Sequence, residues 1–234
     1  MSFTGNFNTD IEFIYNKLAN RDHFAFSKYS DGEYSILRNS RITNCDGWTF
    51  DPIEHVIEHK YLLESFTYSD SSYYVGIGCP CCNSSEFVQW MRSNVKTANV
   101  TWANVFVNGN YEYFKTNIIP EFNNWNGEVN IVAHKSGMGK SLPFKIDSYL
   151  PIEIGSWLNP SLEHIIDLLK VKAKSSNNQL FLFSAGPLGN ILAHQLHIVN
   201  KNNTYIDIGS TVNPWIVGNN RGYLRNNSNK VCIW

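Results

Sequence analysis

Gln179-Leu180-Phe181-Leu182-Phe183, followed by Ser184-Ala185-Gly186-Pro187-Leu188-Gly189-Asn190 and then Ile191-Leu192-Ala193-His194-Gln195-Leu196, decides the fold. A short apolar run, a Gly/Pro-rich joint and a helix-forming apolar segment make one strand-loop-helix unit. Thr204-Tyr205-Ile206-Asp207-Ile208-Gly209 supplies the next strand. Alternation of this kind predicts an α/β fold with a mostly parallel sheet and helical layers, whose ligand groups gather at the strand ends.

The same alternation extends through the chain. Ile11, Ile14, Tyr15 and Leu18 lie on one helical face that Thr9 or Asp10 can cap, and Phe24 to Tyr29 reads as a strand. Asp51-Pro52 opens a helix candidate, Tyr73 to Gly78 a buried strand, Ser85 to Met91 a helix and Val100 to Val107 a further strand. Val129 to Ala133 is another short strand, and Ile165 to Val171 a helix following Asn159-Pro160-Ser161. The 234 residues suit one domain, with the polar tail from about Gly218 packed less tightly.

Hydrophobic residues make up 43% of the chain and charged residues 17%, a globular balance. The net charge is -1, from 19 basic and 20 acidic residues without a basic stripe, which disfavours nucleic acid as a partner. The first residues show no basic stretch leading into an apolar run, and no segment has the length of a membrane span. The expected location is cytoplasmic, with the membrane surface open to a peripheral protein.

Asp31 and Glu33 flank Gly32 in Tyr29-Ser30-Asp31-Gly32-Glu33, at a strand-to-helix junction. Two carboxylates are hard ligands for Mn2+ or Mg2+ held against a phosphate. The same residues also read as a solvated turn, with Asp31 as cap and Glu33 as a first-turn acid. Ser184 to Asn190 can present loop amides and a helix N-terminus to a phosphate, or form an ordinary joint. Asp207 closes an apolar strand, where it can orient a sugar or acceptor, take a hydroxyl proton, or cap a turn.

Other motifs carry less. His134-Lys135-Ser136-Gly137-Met138-Gly139-Lys140-Ser141 has His134 where a nucleotide triphosphate loop requires glycine, although Lys140 can still reach a diphosphate. Cys79-Pro80-Cys81-Cys82 lacks the two-residue spacer of a dithiol motif and a second cysteine pair, so its thiols read as buried or loop thiols. His194 and His197 read as surface or packing histidines, and the tryptophans, Trp102 and Trp215 among them, as packing or a sugar platform.

Taken in order, Tyr29-Ser30-Asp31-Gly32-Glu33, Ser184 to Asn190 and Tyr205-Ile206-Asp207-Ile208-Gly209 resemble the GT-D family of glycosyltransferases, once a domain-of-unknown-function family. The resemblance implies a Rossmann-like sheet with helices on both faces and metal-assisted transfer of a hexose from a nucleotide sugar, a UDP-hexose, to a glycan or oligosaccharide. It assigns Asp31 and Glu33 to metal and donor binding, and maps Gly186-Pro187 to the family's late glycine-proline loop. Asp207-Ile208-Gly209 falls on its Asp-Ile-Gly segment. Two positions depart: Ser210 stands where relatives carry histidine, and Lys28-Tyr29-Ser30 lacks the arginine that precedes the first motif. A nucleotide-dependent phosphotransferase centred on Gly137 to Ser141 and a non-catalytic carbohydrate- or nucleotide-binding domain are the competing functions.

Overall fold

A computed structural model describes residues 4–158, 160–219, 221–225 and 232. Residue 159, residue 220 and most of the tail beyond 225 lie outside the described residues, and so does that part of the expectation for the tail. Seven parallel strands form the main sheet: β1 (Ala25–Tyr29), β4 (Tyr73–Ile77), β5 (Val100–Trp102), β6 (Val129–His134), β7 (Ser148–Ile152), β8 (Leu180–Ser184) and β9 (Thr204–Asp207). Their order is β5-β4-β1-β9-β8-β6-β7. A small antiparallel hairpin, β2 (Ile42–Thr43) and β3 (Thr49–Phe50), stands apart from it.

Alternate side chains of each strand enter opposite layers, as the pleat requires. Phe181, Phe183, Tyr205 and Tyr29 pack under α2 (Asp31–Leu37), α3 (Val56–Thr67), α4 (Ser85–Asn94), α7 (Ser161–Ser175) and α8 (Pro187–His197). Leu180, Leu182, Ile206 and Phe26 face the other way, onto α1 (Phe7–Ala19) and the helical stretch α5 (Tyr111–Tyr113) and α6 (Ile119–Asn123). The α/β reading and the helices on both faces are therefore observed.

Several boundaries differ from expectation. α1 starts at Phe7 because Asn6 is its cap, its Oδ1 accepting from the N–H groups of Asn8 and Thr9. Asp10 is instead fully buried and takes bonds from Thr4, Gly5 and the Thr101 hydroxyl. The helix expected at Asp51 begins at Val56, after a turn in which Asp51 Oδ1 accepts from Ile53. β5 stops at Trp102, short of the Val107 expected for it, and α7 runs to Ser175, past Val171. Among the described residues no helix is long and apolar enough to cross a membrane.

The chain leaves β1 toward β4 and β5 on one side, then builds the other half of the sheet and returns to β1 through β9. The change of direction between β1 and β9 is a topological switch point, and crevices open there at the carboxyl ends of strands.

Candidate functional site

The carboxyl ends of β1, β9 and β8 bring the first motif and the late segments together. Beyond β1, Ser30 caps α2, Asp31 is its first residue and Glu33 its third. Glu33 Oε2 accepts the Ser30 N–H at 2.9 Å, so one carboxylate oxygen serves a capping box. Asp31 is exposed and Glu33 half-buried. The competing structural reading is thus realised for part of the Glu33 carboxylate, with Ser30 and not Asp31 as the cap. A Cβ on Gly32 would meet Asn44 Nδ2 at 3.3 Å and Trp48 at 3.8 Å, so glycine here lets the β2–β3 hairpin close over the first turn of α2.

Asp207 ends β9 with only 2% of its surface exposed. The backbone N–H groups of Gly209, at 2.9 Å, and Lys28 donate to its carboxylate. Burial pushes the carboxyl up to about 7, the Lys28 charge works against that rise and the Glu33 charge adds to it. Burial likewise raises Glu33, opposed first by Lys28. Lys28, Glu33 and Asp207 are therefore one electrostatic group on the β1/β9 boundary, with Asp31 at its edge.

Lys28, in the stretch where the resemblance expects an arginine, brings a positive charge to bear on both carboxylates. Gly209, at φ +54°, makes room for it, since a Cβ there would collide with the Lys28 Cε.

The Ser184 to Asn190 joint lies against the same group. Gly186 is exposed at φ 56° and caps α8, and Pro187 takes the first helical position, where its missing N–H costs nothing. A Cβ on Gly189 would lie 3.3 Å from the Asp207 carboxyl carbon. Asn190 is fully buried, and its Nδ2 donates to Ser27 Oγ at 3.1 Å and the Lys28 carbonyl at 2.6 Å. Pro187, Leu188 and Asn190 are thus packing residues, and half-buried Ser184 and exposed Gly186 are the parts of the joint turned toward solvent.

Lys140 stands elsewhere. It follows β6, and its Nζ donates to the carbonyl of Ile216 at 2.8 Å. The loop makes a single 3-10 turn, Lys135–Gly137, and runs on into β7 without a helix. A phosphate-gripping loop of the nucleotide triphosphate kind delivers its glycines into a helix N-terminus, so the phosphotransferase alternative loses its structural basis. Ser210 bonds the Tyr223 hydroxyl at 2.9 Å, while Arg221 grips Asp46 with both carboxylate oxygens within 3.0 Å.

The packing reading of the histidines also holds. His194 and His197 lie against Tyr68 and Tyr73, and burial lowers both to about 4. Trp102 is buried and donates to the Gly5 carbonyl at 2.7 Å.

Asp31 and Glu33 offer the oxygen donors that Mn2+ or Mg2+ requires. Among the described residues no third carboxylate or histidine joins them closely enough to make a cage. Residues two apart on a helix do not face each other, so an ion held here would need waters and the oxygens of a substrate diphosphate for most of its ligands. The close group of metal-ligating side chains lies elsewhere, in Cys79, Cys81, Cys82 and Cys232.

No family profile matches the chain, and no curated protein does. Solved structures do. A protein from Streptococcus sanguinis described as a new glycosyltransferase of the domain of unknown function 1792 aligns over 86% of this chain and 80% of its own, with a TM-score of 0.58 at 14% identity. A selenomethionine-substituted structure of the same domain gives 0.55 at 14%, over 86% and 77%. A third, described as having a distinct glycosyltransferase fold, gives 0.56 at 13%, over 86% and 77%. At these identities the likeness is one of fold.

Proposed function

We propose that the protein is a glycosyltransferase that moves a hexose from a nucleotide sugar, a UDP-sugar, to a hydroxyl of a glycan or oligosaccharide. The observation that carries this reading is the convergence of Lys28, Glu33 and Asp207 beside the N-terminus of α8, at the switch point of a sheet whose fold matches a glycosyltransferase fold. The choice of UDP rests on the motif resemblance.

In this reading Asp31 and Glu33 would hold Mn2+ or Mg2+, which would supply positive charge against the departing diphosphate. The ammonium of Lys28 adds fixed positive charge at the same edge, and the α8 N-terminus with its Gly186 joint favours the phosphate. Asp207 is too buried to meet an acceptor. It acts as a positioning residue, holding Lys28 and the Gly209 turn in place. The acceptor hydroxyl attacks the anomeric carbon, the bond to the diphosphate breaks, the hydroxyl proton passes to the departing diphosphate or to solvent, and the nucleoside diphosphate leaves.

A mass-spectrometric screen of nucleotide sugars against glycan acceptors, run with Mn2+, Mg2+ or chelator, tests the proposal. The expected product is an acceptor heavier by one sugar, formed only with metal and lost in a folded Asp31→Asn or Glu33→Gln variant. Unchanged transfer in both variants rejects their metal role. Donor binding without product would favour the binding-domain alternative.

A further inference from the structure

Cys79, Cys81 and Cys82 follow β4, and Cys232 comes from 150 residues further along the chain than Cys82. After Ile77 the chain turns back on itself: the N–H groups of Cys82 and Asn83 both donate to the Cys79 carbonyl, at 3.2 and 3.0 Å, and Asn83 Nδ2 joins them at 2.9 Å. The turn sets three thiols on one side. Cys232 closes the group, and all four Sγ atoms lie within 4.8 Å of one another.

The separations are those of four sulfurs gathered about one centre. Sγ of Cys232 is 3.8 Å from those of Cys79 and Cys82, Cys81 is 3.5 Å from Cys82, and Cys79 is 3.0 Å from Cys81. Four sulfurs around one zinc at about 2.3 Å have tetrahedral edges of about 3.8 Å. An iron–sulfur cluster distributes its thiolates over several irons and needs them wider apart. Thiolates are soft ligands, poorly suited to Mn2+ or Mg2+ and well suited to zinc.

Two amides complete the surroundings. Asn104 Nδ2, just past β5, points at three of the sulfurs, 3.3 Å from Cys79, 3.6 Å from Cys82 and 3.9 Å from Cys232. Asn108 Nδ2 donates to Cys232 at 3.1 Å from a residue held at φ 54°. Amide donors converging on sulfur stabilise the charge of metal-bound thiolates and orient them.

We propose that Cys79, Cys81, Cys82 and Cys232 bind one zinc ion as a four-thiolate structural site that anchors Cys232 to the carboxyl ends of β4 and β5. Each thiol gives up its proton as it binds, so occupancy falls in acid. The site is closed to substrate, and its existence does not depend on the glycosyltransferase reading.

The test is elemental analysis combined with thiol counting on the full chain purified without chelator. The expected result is one zinc per chain. Of the five cysteines, exposed Cys45 alone reacts rapidly in the native protein, and all five react after chelation under denaturing conditions. Cys81→Ser and Cys82→Ser, at exposed positions, lose stoichiometric zinc, whereas Cys45→Ser keeps it. Asn104→Ala, which spares every ligand, weakens zinc roughly 10–100-fold in competition with a chromophoric chelator. Absence of zinc even after reconstitution overturns the proposal. So does stoichiometric iron, or a denatured unreduced protein with fewer than five titratable thiols, which would mean a disulfide.

Discussion

Replacing Asp207 by asparagine separates the electrostatics of the β1/β9 boundary from its packing. Asparagine keeps an oxygen to accept from Gly209 and Lys28 but cannot ionise. In the native chain the carboxyl rises from an ordinary 3.8 to about 7, first because it is buried. A folded-state value above the unfolded one means that the folded protein holds its proton more tightly. The associated stability is complete below about pH 4 and is lost as the pH rises through about 7. At 1.36 kcal/mol per pH unit the loss approaches about 4 kcal/mol, an order-of-magnitude figure. With a urea slope of roughly 2–3 kcal/mol per molar, the native midpoint should fall by about 1–2 M relative to Asp207→Asn between pH 4 and pH 8. Glu33 titrates in both proteins and largely cancels. Urea unfolding followed by far- and near-ultraviolet circular dichroism at several pH values measures the difference. A constant gap between the two proteins, or a native chain that gains on the variant as pH rises, would refute the argument.

Three further substitutions probe the same framework. Lys28→Met removes the cation that restrains both Glu33 and Asp207, so their carboxyls rise further and the loss of stability extends to higher pH, visible in the same midpoint series. Asn190→Ala deprives the Lys28 carbonyl and Ser27 hydroxyl of their shared donor and should cost about 1–3 kcal/mol in urea unfolding, with transfer activity falling as β1 shifts. Asp10→Ala, far from the site, should lower stability by about 3 kcal/mol through four lost hydrogen bonds while sparing donor binding in the folded fraction.

The strand-loop-helix unit at 179–196 was legible because its apolar period, its Gly186-Pro187 joint and its helix all agree. β7 was not legible. Pro151 removes a ladder donor from an already short run, and that is tolerated only because β7 is the sheet's edge. β5 was overextended since Val105 and Phe106 are as apolar as strand residues, yet the chain turns at Ala103, which packs on the bare Cα of Gly76. Within the site, Asp31 and Glu33 were visible as a pair. The embrace of Asp207 by Lys28 was not, because it depends on register between β1 and β9, whereas the Glu33 bond to Ser30 is local and its Ser-x-x-Glu spacing is that of a capping box. Cys232 shows the same limit: spacing rules see neighbours in sequence, and its partners are more than 100 residues away.

Tyr29 pairs with Ile77 in the β1/β4 ladder, so Asp31 and Cys79 each lie two residues beyond paired positions on adjacent strands. The two proposed metal sites, a hard carboxylate pair for a substrate-bound ion and a soft thiolate group for a permanent one, would thus share the carboxyl end of the sheet. A chelator that abolishes transfer therefore has two targets, and the loss alone identifies neither. The ligand types separate them. Mn2+ returned to chelated protein can refill the carboxylate pair but is a poor match for four thiolates, whereas zinc restores the cysteine site and the fold that depends on it. Asp31→Asn should leave zinc content at one per chain while raising the Mn2+ concentration needed for half-maximal transfer. Cys82→Ser should lose zinc and thermal stability, yet leave the Mn2+ requirement of its remaining folded fraction unchanged. A variant at either site that altered both readouts alike would mean that the two sites are one structural unit, with the cysteine group positioning the first turn of α2.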